Sequence, residues 1–126
     1  MEKKILVVDD KTGIRKMFSE FLSRKGYTTL TASGGQEAIE IIKKENPDLV
    51  LLDMKMPKMD GIETLKRIRG LGINTKIVML TALDNVALER DARLKGADGF
   101  LRKQLNIPII IHAVDQILLE KPPLNK

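Results

Sequence analysis

Five short apolar runs, each followed by a segment with helical periodicity, succeed one another along 126 residues, and this alternation limits the fold more than any other feature of the chain. Lys4–Val8 reads as a strand, and Thr12–Lys25 as a helix with Ile14, Met17, Phe18, Phe21 and Leu22 on one face. Gly26 ends that helix where a left-handed residue is wanted. Tyr27–Ala32, rich in threonine, suits a second strand. Ser33-Gly34-Gly35 then turns into a helix over Gln36–Glu45, with Ala38, Ile41 and Ile42 inward and Asn46-Pro47 as its stop. The unbroken run Leu49–Leu52, ending in Asp53, has the pattern of a strand buried on both faces. A loop bearing Pro57 and Gly61 leads into a helix built on Ile62, Leu65 and Ile68, which Gly70 and Gly72 close. Lys76–Leu80 is a fourth strand, Asn85–Lys95 a helix of weak periodicity ended by Gly96, and Gly99–Arg102 a fifth strand. Asn106 caps a last helix, whose inner face is Ile107, Ile110, Ile111, Val114, Ile117 and Leu118.

Parallel neighbours need right-handed crossovers, so the pattern predicts an α/β fold: a five-stranded parallel sheet with helices on both faces. A chain of this length builds one core over residues 1–120, and residues 121–126, with Pro122-Pro123, are expected to be a short tail with no output domain. No apolar run reaches the roughly 18 residues of a membrane span, and Ile5–Val8 is too short for a signal-peptide core. The expectation is a cytoplasmic protein that makes no use of a membrane. The absence of cysteine excludes thiolate catalysis and Cys-based zinc sites, and the single His112 leaves no histidine cluster for a transition metal. Lys and Arg outnumber Asp and Glu by 22 to 17, a net charge of +5. Those cations are dispersed as singles and pairs, with one Tyr and three Phe to stack on bases, which argues against nucleic acid as a partner.

In an open parallel sheet the ligand site lies beyond the carboxyl ends of the strands, where strand order reverses. The sequence places Asp9 and Asp10 after the first strand, Asp53 after the third, Thr81 after the fourth and Lys103 after the fifth. Three carboxylates at one edge raise one another's pKa values unless a cation sits among them. Magnesium fits, with manganese as the alternative: Asp10 and Asp53 as direct ligands, Asp9 through water, and the Lys55 backbone carbonyl as a further oxygen. The Thr81 hydroxyl and the Lys103 ammonium suit a phosphoryl group, and an Asp between them and the metal suits a nucleophile toward phosphorus. A lone Asp after a strand is commonly a helix cap, and a lone Thr or Lys in a loop is commonly just solvated. An acid pair, an acid, a hydroxyl and an amine on four separate strand ends outweigh that reading.

These residues also carry a resemblance. Val7-Val8-Asp9-Asp10, the run Pro47–Gly61, Leu80-Thr81-Ala82 and Phe100-Leu101-Arg102-Lys103 resemble the receiver domain of two-component response regulators over roughly Lys3 to Leu119. Gly13-Ile14-Arg15, Leu52–Lys55 and Asp60–Glu63 are similar to the stand-alone receivers of phosphorelays. The resemblance implies a (βα)5 flavodoxin-like fold. It implies that Asp53 accepts a phosphoryl group from the phosphohistidine of a histidine kinase or a histidine phosphotransferase. It implies Mg²⁺ on Asp9, Asp10, Asp53 and the Lys55 carbonyl, and a switch pair in which Thr81 moves to the phosphoryl oxygen and Phe100 turns inward behind it. Such a chain catalyses its own phosphorylation and dephosphorylation rather than turning over a metabolite.

One departure stands out: family members usually carry a cis proline after the Lys, and here Gln104 follows. Either the loop is strained or the bond is trans and the amine is aimed differently. Other functions meet obstacles of their own. A Mg²⁺-dependent phosphatase with an aspartyl nucleophile wants a second Asp two residues on, where Lys55 stands. A flavin module wants a Ser/Thr-rich phosphate loop, and a phosphorylation-independent interaction domain has only Gln104 in its favour. For partners, Ile14 and Met17 are expected to dock a helical protein. Ile109 and Ala113, off the inner stripe of the last helix, are expected to form an apolar patch for a partner or a homodimer. The resemblance further implies that the side chains two residues beyond the acceptor and two beyond the hydroxyl residue, here Lys55 and Leu83, flank the path of an attacking water, and the expectation is slow self-dephosphorylation.

Overall fold

Among the described residues ten elements alternate: β1 (Lys4–Val8), α1 (Thr12–Arg24), β2 (Thr28–Ala32), α2 (Gly35–Glu45), β3 (Leu49–Asp53), α3 (Gly61–Gly70), β4 (Lys76–Thr81), α4 (Val86–Leu94), β5 (Gly99–Arg102) and α5 (Ile107–Leu119). The computed structural model describes residues 2–82, 86–103 and 107–119. The expectations attached to Leu83, Asn85, Gln104, Asn106 and the 121–126 tail lie outside the described residues. No helix among the described residues is long and apolar enough to cross a membrane.

The sheet runs β2-β1-β3-β4-β5, and every neighbouring pair is parallel. All five strands therefore finish at one edge. Strand order reverses between β1 and β3, because the chain leaves β1 toward β2 on one side and returns to β3 on the other. Successive side chains of a strand point to opposite faces, so each strand feeds two cores. Leu6 and Val8 of β1 join Ala38, Ile39, Ile42, Leu65, Ile68 and Ala92 from α2, α3 and α4. Ile5 and Val7 join Phe18, Leu22, Ile110, Ile111 and Val114 from α1 and α5. All five residues of β3, the central strand, are buried, as its continuous apolar pattern predicts.

The structure differs from the sequence reading at several boundaries. α1 stops at Arg24 because the Lys25 N–H turns back to the Phe21 and Leu22 carbonyls. β2 starts at Thr28 because Tyr27 is committed elsewhere, its N–H to the Leu22 carbonyl and its hydroxyl to Asp115. In α2 the buried residue is Ile39, 5% exposed, whereas Ile41 is half-buried. The helix begins one residue early at Gly35, which packs against Met59 and Thr64, and this rotates the buried arc onto 35, 38, 39 and 42. Ala92 is the one buried residue of α4, in keeping with its weak periodicity. A single guanidinium holds the turn that follows it: Arg69 donates to the carbonyls of Gly96, Ile73 and Thr75 and to the Asp98 carboxylate at 2.8–3.0 Å.

Candidate functional site

Asp9 leaves β1 with its N–H on the Ala32 carbonyl (3.1 Å) and its carboxylate buried. Its Oδ1 accepts the Lys11 N–H at 2.9 Å, and its carbonyl accepts Arg15 Nη1 at 2.7 Å. Asp10 follows on the solvent side. Asp53 is the last residue of β3 and is 3% exposed. Immediately after it the chain is held on both sides, Met54 N–H to the Leu80 carbonyl and Gly61 N–H to the Met54 carbonyl, each at 2.9 Å. Gly61 cannot be replaced there: a Cβ would overlap the Asp53 carbonyl oxygen and approach Met54 Cα to 2.9 Å. Asp60 caps α3 by accepting the Glu63 N–H at 2.9 Å, which fixes the far end of the same loop.

Across the edge, Thr81 ends β4 and is buried, and its carbonyl accepts the Lys103 N–H at 2.7 Å. That bond starts Lys103 back over the strand ends. Its Nζ lies 2.8 Å from Asp9 Oδ2 and 3.1 Å from Asp53 Oδ1. The Lys55 N–H also turns toward Asp53 Oδ1, at 3.3 Å. Burial, and then the negative charge of Asp9, push the Asp53 carboxyl above its ordinary pKa, with Lys103 opposing them. Burial alone would lower the Lys103 pKa, but contacts with the two carboxylates outweigh it and raise it, so the amine is an ammonium ion at neutral pH. A recess of about 150 Å³ opens over Asp53, lined also by Lys11, Lys55, Thr81 and Lys103. A wider one of about 440 Å³ adjoins it, lined by Asp10, Lys11, Lys55, Met56, Pro57 and Asp60. The groove of about 380 Å³ between α1 and α5, lined by Phe21, Arg24 and His112 among others, lies away from the strand ends and has no such cluster.

Oxygens of Asp9, Asp10 and Asp53 all come within 4.8 Å of one another, close enough to share one ion. Asp9 Oδ2 is buried without a directional hydrogen bond, its contact being the Lys103 ammonium. Carboxylates at this spacing suit a hard divalent cation rather than a thiophilic one. The donor set therefore fits magnesium or manganese.

Five of the residues anticipated from sequence, Asp9, Asp10, Asp53, Thr81 and Lys103, come together at this edge. Phe100 stands apart on β5, opposite Met79 and half-buried against the α2-α3-α4 core. Because Thr81 lies two residues beyond Met79, both side chains belong to the same face of the sheet. Ile14 and Met17 are half-buried on the core beneath α1 and do not line the recess. Ile109 is 47% exposed and Ala113 half-buried. The sequence reading gave Lys11 and Arg15 no place in the site, where the structure sets both against Asp9, and it did not foresee that Lys103 bridges Asp9 to Asp53.

A family model, response regulator receiver domain, matches residues 5–115. Sporulation initiation phosphotransferase F of Bacillus subtilis is 42% identical over 118 residues, 94% of this chain and 95% of that protein. The response regulator MprA of Mycolicibacterium vanbaalenii is 37% identical over 98% of this chain but only 53% of its own length, so the chain spans about half of that relative. Among solved structures, a chain of the CheX-CheY-BeF3-Mg+2 complex from Borrelia burgdorferi superposes with a TM-score of 0.88 at 32% identity, covering 94% of this chain and 90% of that one.

Proposed function

From the premise that this chain belongs to the response regulator receiver domain family of two-component systems, we propose that it accepts a phosphoryl group on Asp53 and transmits the event through protein contacts. The donor is the phosphohistidine of a histidine kinase or a histidine phosphotransferase in the cytoplasm. One Asp53 oxygen forms a bond to phosphorus as the N–P bond breaks, and the electron pair of that bond stays on the imidazole nitrogen. The observation that carries this reading is the Lys103 ammonium bridging two buried carboxylates beside the Thr81 hydroxyl.

Asp9, Asp10, Asp53 and the Lys55 carbonyl would hold Mg²⁺ or Mn²⁺, which supplies neutralisation of the charge on the transferring oxygens. Burial and the neighbouring Asp9 disfavour a charge on the Asp53 carboxyl, and acylation moves the charge outward onto the phosphoryl oxygens. Lys103 needs only to exchange one of its two contacts, Asp53 Oδ1 for a phosphoryl oxygen, while keeping Asp9. Thr81 donates its hydroxyl to a second phosphoryl oxygen, and Phe100, on the same sheet face, follows as Thr81 shifts. The Bacillus relative is a phosphotransferase, and the Borrelia complex contains BeF3 and Mg+2; both support this chemistry, and the first supports a place in a phosphorelay.

Incubation with acetyl phosphate and Mg²⁺ should add one phosphoryl group to the wild-type protein, stable in acid and labile in base, and mapped to Asp53. Asp53→Ala should gain none. Stoichiometric modification of another residue would overturn the assignment.

A further inference from the structure

Lys11 is the N-cap of α1, with an extended backbone (φ −97°, ψ 120°) and no side-chain hydrogen bond to the helix. A lysine is ill-suited to that place. The amino end of a helix carries roughly half a positive charge, and the residues that stabilise it are Asp, Asn, Ser and Thr. The first turn of α1 adds to the mismatch, since it has no acidic residue. Arg15, one turn on, is already engaged with the Asp9 carbonyl and the Thr12 hydroxyl. Lys11 itself has its backbone fixed at both ends, N–H on Asp9 Oδ1 (2.9 Å) and carbonyl on the Arg15 N–H (3.2 Å). Its ammonium pairs with no carboxylate among the described residues, yet the residue lines both recesses beside Asp53. A charge that the helix disfavours and no acid claims is the kind of local inconsistency that marks a working position.

The charge balance of the site gives that cation a task. Three carboxylates would balance Lys103 and one bound divalent cation. Acylation of Asp53 replaces its single negative charge by close to two on the phosphoryl group. The loaded site then carries one more negative charge, Lys103 is shared with Asp9, and the further cations that line the recesses are Lys55 and Lys11, of which Lys11 stands at the mouth of β1 beside Asp9. We propose that Lys11 binds the phosphoryl group from the solvent side of the recess and favours doubly anionic phosphodonors. This rests on Asp53 being the acceptor.

The test compares wild type, Lys11→Gln, Lys11→Arg and Lys16→Gln. Lys16 is exposed further along α1, and its loss removes the same net charge. Each protein is given acetyl phosphate and Mg²⁺ at low salt, with Asp53 loading followed by mass, and its affinity for BeF3⁻ in the presence of Mg²⁺ is measured by calorimetry. Lys11→Gln should slow loading and weaken BeF3⁻ binding about threefold, the size of a solvent-exposed charge contact. Lys11→Arg should restore both, Lys16→Gln should match wild type, and high salt should erase the difference. Equal behaviour of Lys11→Gln and wild type, or of Lys11→Gln and Lys16→Gln, would overturn the role of Lys11 alone. A wild-type protein that never loads Asp53 would instead overturn the acceptor reading and this one with it.

Discussion

Asp53 is held as a carboxylate in a place that favours its protonated form. Its folded pKa lies above the unfolded value, so the native state binds that proton more tightly, and ionised Asp53 costs stability at every pH above the folded pKa. The cost disappears as pH falls below the unfolded value. In chelator-treated protein, Asp53→Asn should therefore raise the melting temperature at pH 7 by about 3 °C. Melts recorded from neutral to acid pH should show the gain shrinking on acidification, and a gain that grows toward acid would contradict the electrostatic account. Lys55 has a second role to test. The residue borders the recess over Asp53, and its ammonium, unlike a carboxylate or amide, offers an attacking water no acceptor. Lys55→Asn, and more strongly Lys55→Asn with Leu83→Glu, should speed partner-free loss of the phosphoryl group, by less than the roughly 100-fold at which dedicated general-base catalysis begins. Radiolabel retention measures this directly, and an unchanged lifetime would remove the shielding role.

Among the elements, α1 divides its apolar stripe in two. Phe18 and Leu22 are buried, while Ile14, Met17 and Phe21 lie half-buried along the margin nearer solvent. Leu22→Ala should cost about 2–5 kcal/mol, as truncations in a packed core do. Ile14→Ala with Met17→Ala should cost less than that in a denaturant titration, and should slow phosphoryl transfer from a cognate histidine protein by a larger factor than the stability change explains. The reverse ranking would make the pair core residues. Sequence periodicity found this stripe, and the expectation that Ile14 and Met17 are free to dock a partner agrees with their half-burial beside buried Phe18 and Leu22. It could not choose in the same way within α2. Periodicity allowed either Ile39 or Ile41 to face inward, and the choice was made by Gly35 nesting against Met59 and Thr64, a contact between α2 and the β3–α3 region that no local pattern encodes. β3 was plain from its letters for the opposite reason: burial on both faces leaves no polar residue before Asp53.

At the scale of the molecule, the parallel sheet made the site legible, since it sends every strand end to one edge and so gathers residues distant in sequence. What it hid was the pairing of Lys103 with Asp9. β1 and β5 are not neighbours but stand with β3 and β4 between them, and only the reach of a lysine side chain across that width joins residues 9 and 103. The outward side of α5 bears on assembly. With Ile109 at 47% exposure, self-association through this helix should appear in sedimentation as a concentration-dependent dimer that Ile109→Glu abolishes. A strict monomer with and without Asp53 loaded would remove the dimer.

The strand order also sets a schedule. A chain leaving the ribosome amino end first exposes Asp9, Asp10 and Asp53 before β5 exists, and β3 can close on β1 while the codon for Lys103 is still unread. For that interval the cluster lacks the Lys103 ammonium that bridges Asp9 to Asp53 and must draw that counter-charge from ions in the surrounding fluid. The edge becomes a finished site only when β5 slides in beside β4, so the site is completed by the latest made of its own residues.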